Sequence, residues 1–328
     1  MVLLSRRIVT TLVALAGSLA ATGPLRAQDA YPSRPLRIIV SFAPGGGADI
    51  MARLLAVPLA RELGQPVVVE NRAGGGGVIG TEVCARAPAD GYTLCFGSTT
   101  THSIIPHLQQ GLTWDAIRDF THITNIGFQP NVLAVNPGLP IRTMPELIEW
   151  ARRNRGAAYG TSGVGTSNHL AGEYLSRQFD LQLNHVAYRG GNLAQQDAAA
   201  GQIPIVIDQI TAMLPLIQAG RLRPIVVAGS RGRSALLPDV PNITEGTLPD
   251  FRVESYQALF GPAGLPPAVL ERIYGAVVRA VNNSDVRQRF IEIGTEPVLN
   301  TPTEFSAYLR ETSPMYQRLV EISGARVN

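Results

Sequence analysis

A β-rich run, a glycine-rich loop and a helical stretch follow one another repeatedly along this chain, and that alternation restricts it to an α/β architecture in which strands feed helices. The first series is Leu36-Arg37-Ile38-Ile39-Val40, a helix from Asp49 to Leu63, Val67-Val68-Val69-Glu70, a helix from Val78 to Ala87, and Thr93-Leu94-Cys95-Phe96. The second runs Val132 to Val135, helix Met144 to Asn154, Ala157 to Gly160, helix Asn168 to Phe179, Leu183 to Ala187, helix Asn192 to Ala200, and Ile203 to Ile207. Each series reads as parallel α/β and as half of a doubly wound protein. Helices near Pro267 to Asn282, Ser284 to Ile293 and Thr303 to Ser323 close the sequence and are expected to pack back on the first lobe.

The chain opens with an export-signal layout: basic Arg6 and Arg7, an apolar run from Ile8 to Ala21, and Pro24-Leu25-Arg26-Ala27 before a polar start at Gln28. The apolar run falls short of the roughly twenty residues that span a bilayer. A cleaved signal over residues 1–27 and a mature start near Gln28 follow, with a single membrane anchor as the rival reading. Both Sec and twin-arginine export stay open. The remainder, about 300 residues, is too long for one comfortable core. Proline-rich breaks near Gln129-Pro130 and Leu237-Pro238-Asp239-Val240-Pro241 divide it. The expected organisation is a discontinuous first domain, residues 28–128 and 231–328, and a second domain, residues 129–230.

Charge narrows the function. The whole chain carries +3, and the signal holds three arginines and no acid, so the mature body is neutral. A neutral body argues against nucleic acid or an anionic membrane as partner. Lysine is absent from the sequence, which removes P-loop and Schiff-base chemistry. The histidines are scattered singly, so neither a metal nor a cofactor is expected. Cys84 and Cys95 flank the turn at Ala89-Asp90-Gly91. Two buried free thiols are the expectation, with a disulfide as the alternative in an oxidising compartment.

Three loops carry the chemistry. Ser41-Phe42-Ala43-Pro44-Gly45-Gly46-Gly47-Ala48-Asp49 joins the first strand to a helix, where unpaired N–H groups and the helix dipole favour an anion. Asp49 is expected to cap that helix, and a plain tight turn is the competing reading for the glycines. Gly160-Thr161-Ser162-Gly163-Val164-Gly165-Thr166-Ser167-Asn168 repeats the arrangement in the second series. Asn71-Arg72-Ala73-Gly74-Gly75-Gly76-Gly77-Val78-Ile79-Gly80 holds a literal G-x-G-x-x-G, but Ser98-Thr99-Thr100-Thr101 stands where a ribose-binding acid belongs, which argues against a dinucleotide. Tyr188-Arg189-Gly190-Gly191-Asn192 again sets glycines before a helix, with Arg189 as a charged clamp or a surface residue. Asp208 stands at the carboxyl end of a strand, where open α/β sheets bind ligands.

These residues in this order resemble the receptors of the tripartite tricarboxylate transporter family, also called the Bug family of periplasmic binding proteins. The resemblance rests on Tyr31-Pro32-Ser33-Arg34-Pro35, Phe42 to Asp49, Glu70-Asn71-Arg72-Ala73-Gly74, Pro88-Ala89-Asp90-Gly91-Tyr92-Thr93-Leu94, Thr161 to Thr166, Tyr188 to Gly191 and Leu237 to Pro241. Asn242 stands where the family usually has threonine, and Tyr256 where a tryptophan is often found. The resemblance implies a bilobal type II periplasmic binding protein fold, two doubly wound α/β domains joined by two crossing hinge strands. It implies a ligand carboxylate held by Phe42, Pro44, Gly45, Gly46, Gly47 and Asp49 of the first lobe. Ser162, Thr166, Ser167, Asn168, Arg189, Gly190, Gly191 and Asp208 of the second lobe would complete the grip. Separately, Thr99, Thr100, Thr101 and His102, which follow the third strand, are expected to help set pocket size.

The resulting expectation is a monomeric periplasmic receptor, not an enzyme, that closes on a small organic acid by hinging near Gln129-Asn131 and Val227-Ser230. It would deliver the acid to membrane transporter subunits, or else report it to a sensor kinase. A secreted hydrolase using Ser167 and His169 is the remaining alternative, disfavoured because residues two apart at a helix start diverge.

Overall fold

The computed structural model describes residues 31–325 except 230, 247, 252 and 254, so the signal segment lies outside the described residues. The first series forms β1 (Leu36–Val40), α1 (Gly47–Leu63), β2 (Val67–Asn71), α2 (Val78–Ala85), β3 (Thr93–Ser98), α3 (Ile105–Leu108) and β4 (Phe120–Phe128). The chain then builds β5 (Asn131–Val135), α4 (Met144–Arg153), β6 (Ala158–Thr161), α5 (Ser167–Gln178), β7 (Asn184–Ala187), α6 (Gly191–Ala199), β8 (Ile205–Gln209), α7 (Ile210–Gln218) and β9 (Arg223–Ala228). It ends in β10 (Tyr256–Pro262), α8 (Pro267–Asn282), α9 (Ser284–Glu292), β11 (Glu296–Pro297) and α10 (Pro302–Ser323).

Two sheets result, ordered β11-β4-β10-β3-β1-β2 and β7-β6-β8-β5-β9. β1 lies parallel between β2 and β3, with Ile38 opposite both Val69 and Leu94. The wholly parallel reading needs correction, because β10 runs antiparallel to β3 and β4, and β5 runs antiparallel to β8 and β9. Antiparallel neighbours enter where the chain leaves one sheet for the other, since β4 passes through Gln129 and Pro130 directly into β5 without a crossover helix.

Helix positions follow from spacing and caps. α1 buries Met51, Ala52, Leu55, Leu59 and Leu63 at helical intervals, and ends at Gly64, whose φ of 73° and bond to the Ala60 carbonyl stop the last turn. α4 and α10 begin with reciprocal capping boxes, Thr143 with Glu146 and Thr301 with Glu304. Burying each such large side chain contributes roughly 1.5–3 kcal/mol.

The C-terminal third is divided between the lobes. Residues beyond β9 stay with the second sheet, because Ile243, Phe251 and Val253 share a core with Tyr159, Ile205 and Val226. Only at Tyr256 does the backbone enter the first sheet. α8 and α9 return to the first lobe, where Ile273, Val277 and Phe290 pack with Met51 and Leu55. α10 does not simply follow them: Phe305 and Leu309 join Phe260 of the first sheet, while Tyr316, Leu319 and Val320 pack with Leu170 and Tyr174 of the second lobe. Asn242, one of the two departures from the family pattern, donates to the Gly232 carbonyl at 2.6 Å and accepts from Thr244 N–H at 2.9 Å.

Cys84 and Cys95 form a disulfide, which overturns the expectation of two free thiols. The last turn of α2 lies beside the middle of β3, with the two Cα atoms 5.9 Å apart, within bridging distance.

Candidate functional site

β1 ends buried at Val40, and the chain turns through residues 41–46 into α1, which begins at Gly47 with Gly46 as its cap. The helix therefore starts two residues before Asp49, and Asp49 is not its N-cap. Its carboxylate accepts instead from Gly45 N–H at 2.9 Å, Arg53 Nε at 3.0 Å and Asn71 Nδ2 at 2.9 Å, bracing the loop from behind. Burial opposes the charge of Asp49, but the bonds from Arg53, Gly45 and Asn71 outweigh it, and the carboxyl lies below its ordinary range. The unpaired first-turn N–H groups of α1 are left at the surface of a cavity between the lobes.

The facing wall comes from β6 and α5. Thr166 caps α5, donating its hydroxyl to the Gly163 carbonyl at 2.7 Å and accepting from His169 N–H at 3.3 Å. Asn168 donates from Nδ2 to Asp208 Oδ1 at 3.0 Å and to Ser162 Oγ at 2.9 Å. Asp208, at the end of β8, also accepts from Gln195 Nε2 at 2.7 Å and from the Gln209 N–H at 2.8 Å. Burial pushes its carboxyl above the ordinary range despite those three donors. α6 starts at Gly191, where a Cβ would stand 1.6 Å from Asp208 Oδ2, so only glycine fits.

The first turns of α1, α5 and α6 thus converge on one cavity of about 30 Å³. Ser98 and Gln257 line it, and Ser98 Oγ and Gln257 Oε1 are buried without a hydrogen-bond partner among the described residues. Its lining residues carry no cationic side chain, and Asp208 is their single carboxylate. Direct contacts join the lobes around it. Ser167 N–H donates to Thr100 Oγ1 at 3.1 Å, and a Cβ on Gly47 would meet Gln209 Oε1 at 2.1 Å. This is a closed arrangement.

Phe42, Gly46, Gly47, Ser162, Ser167, Asn168, Gly190, Gly191 and Asp208 of the expected residues line the cavity. Pro44 and Gly45 sit exposed on the outer turn of their loop, and Thr166 and Asp49 act behind their loops. Thr101 and His102 are buried in the first lobe and do not line it. Thr101 Oγ1 accepts from Ser98 N–H at 3.0 Å, and the His102 ring stacks on Phe260 at 3.8 Å, where burial and neighbouring His122 hold it neutral. Arg189 is exposed and lines a larger neighbouring chamber. Sequence reasoning missed Gln209 and Gln257 as lining residues, and covered Ala43 and Ala48 only as members of the Phe42-to-Asp49 loop. Thr100, expected with Thr99, Thr101 and His102 to help set pocket size, does line the cavity, whereas the sequence marks Ser98 only as part of that polar run.

Ser167 and His169 are not paired with each other. The contact of Ser167 Oγ is Ser255 Oγ at 3.5 Å, whereas His169 Nδ1 accepts from Gly165 N–H and its ring stacks on His185 at 3.9 Å. Among the described residues, no group of three or more His, Cys, Asp or Glu side chains could hold a metal, and no helix is long and apolar enough to cross a membrane.

Two α/β lobes closed over a cavity walled by helix N-termini define a bilobal solute-binding protein of the type II periplasmic class. Residues 51–324 match the model of the tripartite tricarboxylate transporter family receptor, and the chain belongs to that family. Among solved structures it is similar to the periplasmic binding protein BugD, 28% identical with a TM-score of 0.86 over 90% of this chain and 99% of that one. It is also similar to an R. palustris protein solved with adipate, 29% identical with a TM-score of 0.87 over 90% of this chain and all of that one. The MatC protein of Rhodopseudomonas palustris with bound malate is 29% identical, with a TM-score of 0.83 over 88% of this chain and all of that one.

Proposed function

We propose that this protein is a periplasmic receptor that captures a small organic acid between its lobes and hands it to the membrane subunits of a tripartite tricarboxylate-type transporter. The observation that carries this reading is the convergence of three helix starts, with Ser98 Oγ and Gln257 Oε1 unpartnered among the described residues, on a cavity without a cationic side chain. A carboxylate there takes backbone N–H donors in place of a formal counter-ion. Family membership and the adipate and malate complexes of its relatives support a carboxylate as the guest.

The ligand contacts are assigned to Phe42, Gly46, Gly47, Ser162, Ser167, Asn168, Gly190, Gly191 and Asp208, joined by Ser98, Thr100 and Gln257. Packing supports grouping residues 231–255 with the second lobe, which puts the hinge crossings at Gln129-Pro130 and Ser255-Tyr256. The exported, cleaved chain acts as a monomer. Ala48→Arg places a long side chain at the first turn of α1; calorimetry with adipate and malate should show binding lost while circular dichroism shows the fold kept. Unaltered affinity for an acid that the wild type binds removes the cavity as its site.

A further inference from the structure

Asp208 places a carboxylate on the wall of a cavity that receives another. At about 30 Å³ the cavity has room for about two water-sized groups, so a bound carboxylate lies within roughly 4–6 Å of the Asp208 carboxyl, where each charge bears on the other's ionisation. The two oxygens of Asp208 are used unequally. Oδ1 accepts from both Asn168 Nδ2 at 3.0 Å and the Gln209 N–H at 2.8 Å, whereas Oδ2 accepts from Gln195 Nε2 at 2.7 Å and keeps a second lone pair. Oδ2 also faces the bare start of α6, where a Cβ on Gly191 would stand 1.6 Å away.

No charge stands ready to offset the second carboxylate. On α5, His169 stacks on His185 and spends its Nδ1 on the Gly165 N–H. On α6, Asp197 accepts from Tyr188 Oη at 2.7 Å, and Arg189, just before that helix, is exposed and lines the neighbouring chamber. Tyr159 of β6 donates to Glu173, while β5 and α7 carry no titratable side chain. Across the cavity, Asp49 of α1 is tied to Arg53 and Asn71, and Tyr256 of β10 to Ser103. The partners of Asp208 are therefore all neutral amides, and burial already lifts its carboxyl above the ordinary range. Two carboxyls brought together in so small a space without a cation share one proton.

We propose that the receptor captures its acid together with one proton, which comes from solvent and sits between Asp208 Oδ2 and an oxygen of the ligand carboxylate. This rests on the receptor reading above and adds how the site balances charge: two carboxyls and one proton leave a single negative charge among the helix N-termini. Loading is then favoured as the surroundings acidify toward the range in which the free acid itself protonates.

Hexanoate, benzoate and adipate are suitable probes, because none carries a hydroxyl or ammonium that could donate to Oδ2 instead and their carboxyls ionise near pH of about 4–5. Burial pushes all five histidines below their ordinary 6.5 and the two cysteines are bridged, so neither type titrates between pH 6.5 and 9. Calorimetry on the mature chain over that range, in HEPES and in Tris, should give a binding enthalpy that depends on the buffer, corresponding to uptake of up to one proton per ligand. Where uptake reaches one proton, Kd should rise about tenfold per pH unit. Asp208→Asn, neutral at every pH, should take up no proton and keep Kd constant across the range, with its melting temperature verifying that it is folded; the buffer dependence of the wild type needs no variant. An enthalpy independent of buffer with a Kd independent of pH overturns the proposal and leaves the receptor reading standing, as does a pH dependence that Asp208→Asn retains. Binding of none of these acids, nor of malate, removes both.

Discussion

Asn168 Nδ2 donates to Asp208 Oδ1 at 3.0 Å, and this one bond fixes which way the first turn of α5 presents itself to the cavity. The amide is held at its other end by contacts with Ser162, Thr166 and the His169 N–H, so the carboxylate is the anchor of a fully satisfied buried network. Asp208→Ala strands the donors of Asn168, Gln195 and Gln209 and should cost about 3 kcal/mol. Asp208→Asn keeps one acceptor for Asn168 and Gln209, and Gln195 can turn its amide to meet the new NH₂. Urea unfolding should therefore rank Asp208→Asn within about 1 kcal/mol of wild type. Equal losses in the two variants would show that the network does not depend on acceptors at this position.

Closure is readable at two glycines. Gly47 lies against Gln209 Oε1 and 3.2 Å from Gln129 Oε1, measured from the site of a Cβ, and Gly76 faces the Val164 carbonyl in the same way. At Gly47 the neighbours are side-chain ends, which can move. At Gly76 the neighbour is backbone, and φ is 64°. Gly76→Ala should hold the lobes apart more than Gly47→Ala does. Small-angle scattering should show a larger radius of gyration for Gly76→Ala in saturating adipate. Both variants should bind at least about tenfold more weakly than wild type, a loss of about 1.4 kcal/mol.

The glycine loops were legible because strand, loop and helix are contiguous in sequence, and Asn168 and Asp208 could be named from their places at a helix start and a strand end. Gln257 could not. It reaches the cavity from β10, whose antiparallel pairing with β3 and β4 places Gln257 opposite Ser98 and Gly127, partners far away in the chain. β4 escaped notice for a related reason. Its residues are nearly all buried, including Thr124 and Asn125, so no alternation of polar and apolar faces marks it. Thr101 and His102 were misplaced because the backbone coils into a π-type turn at Thr100–Ile104, which turns Thr100 toward the cavity and the next two side chains into the core. The segment 231–255 was assigned to the first lobe because proline marks a break without saying which side the chain then packs on.

The Cys84–Cys95 bridge closes a loop of 11 residues between two buried positions. Loop-closure entropy of that size corresponds to about 3 kcal/mol. The double variant Cys84→Ala, Cys95→Ala should unfold at lower urea by about that amount. Wild-type protein should resist reductant under native conditions and lose stability only when reduced during unfolding. A double variant as stable as wild type shows that native packing already supplies the constraint.

Acid should weaken this fold through the stacked pair His169 and His185. Burial pushes His169 down to about 3, helped by the neighbouring His185, and pushes His185 down to about 4. Both are ordinarily near 6.5, so below that pH the unfolded chain takes up protons that the folded chain excludes. Stability then falls as pH drops from 6.5 toward 4 and levels off near 3, the reverse of a histidine that gains a partner on folding. Each histidine can cost about 2 kcal/mol by pH 5, an upper bound for a pair that interacts. Glu173 stands 3.8 Å from His169 Nε2, and Asp208, whose carboxyl is raised, works in the opposite sense by favouring the folded state as pH falls. His185→Gln keeps an amide within reach of Thr161 Oγ1, which now contacts His185 Nε2 at 2.7 Å, and leaves Glu173 and Asp208 in place. Urea unfolding at pH 7, 6 and 5 should show the variant losing less stability than wild type by about 1–2 kcal/mol over that range. Because the other acids are common to both proteins, parallel pH slopes would exclude His185 as the source of the loss.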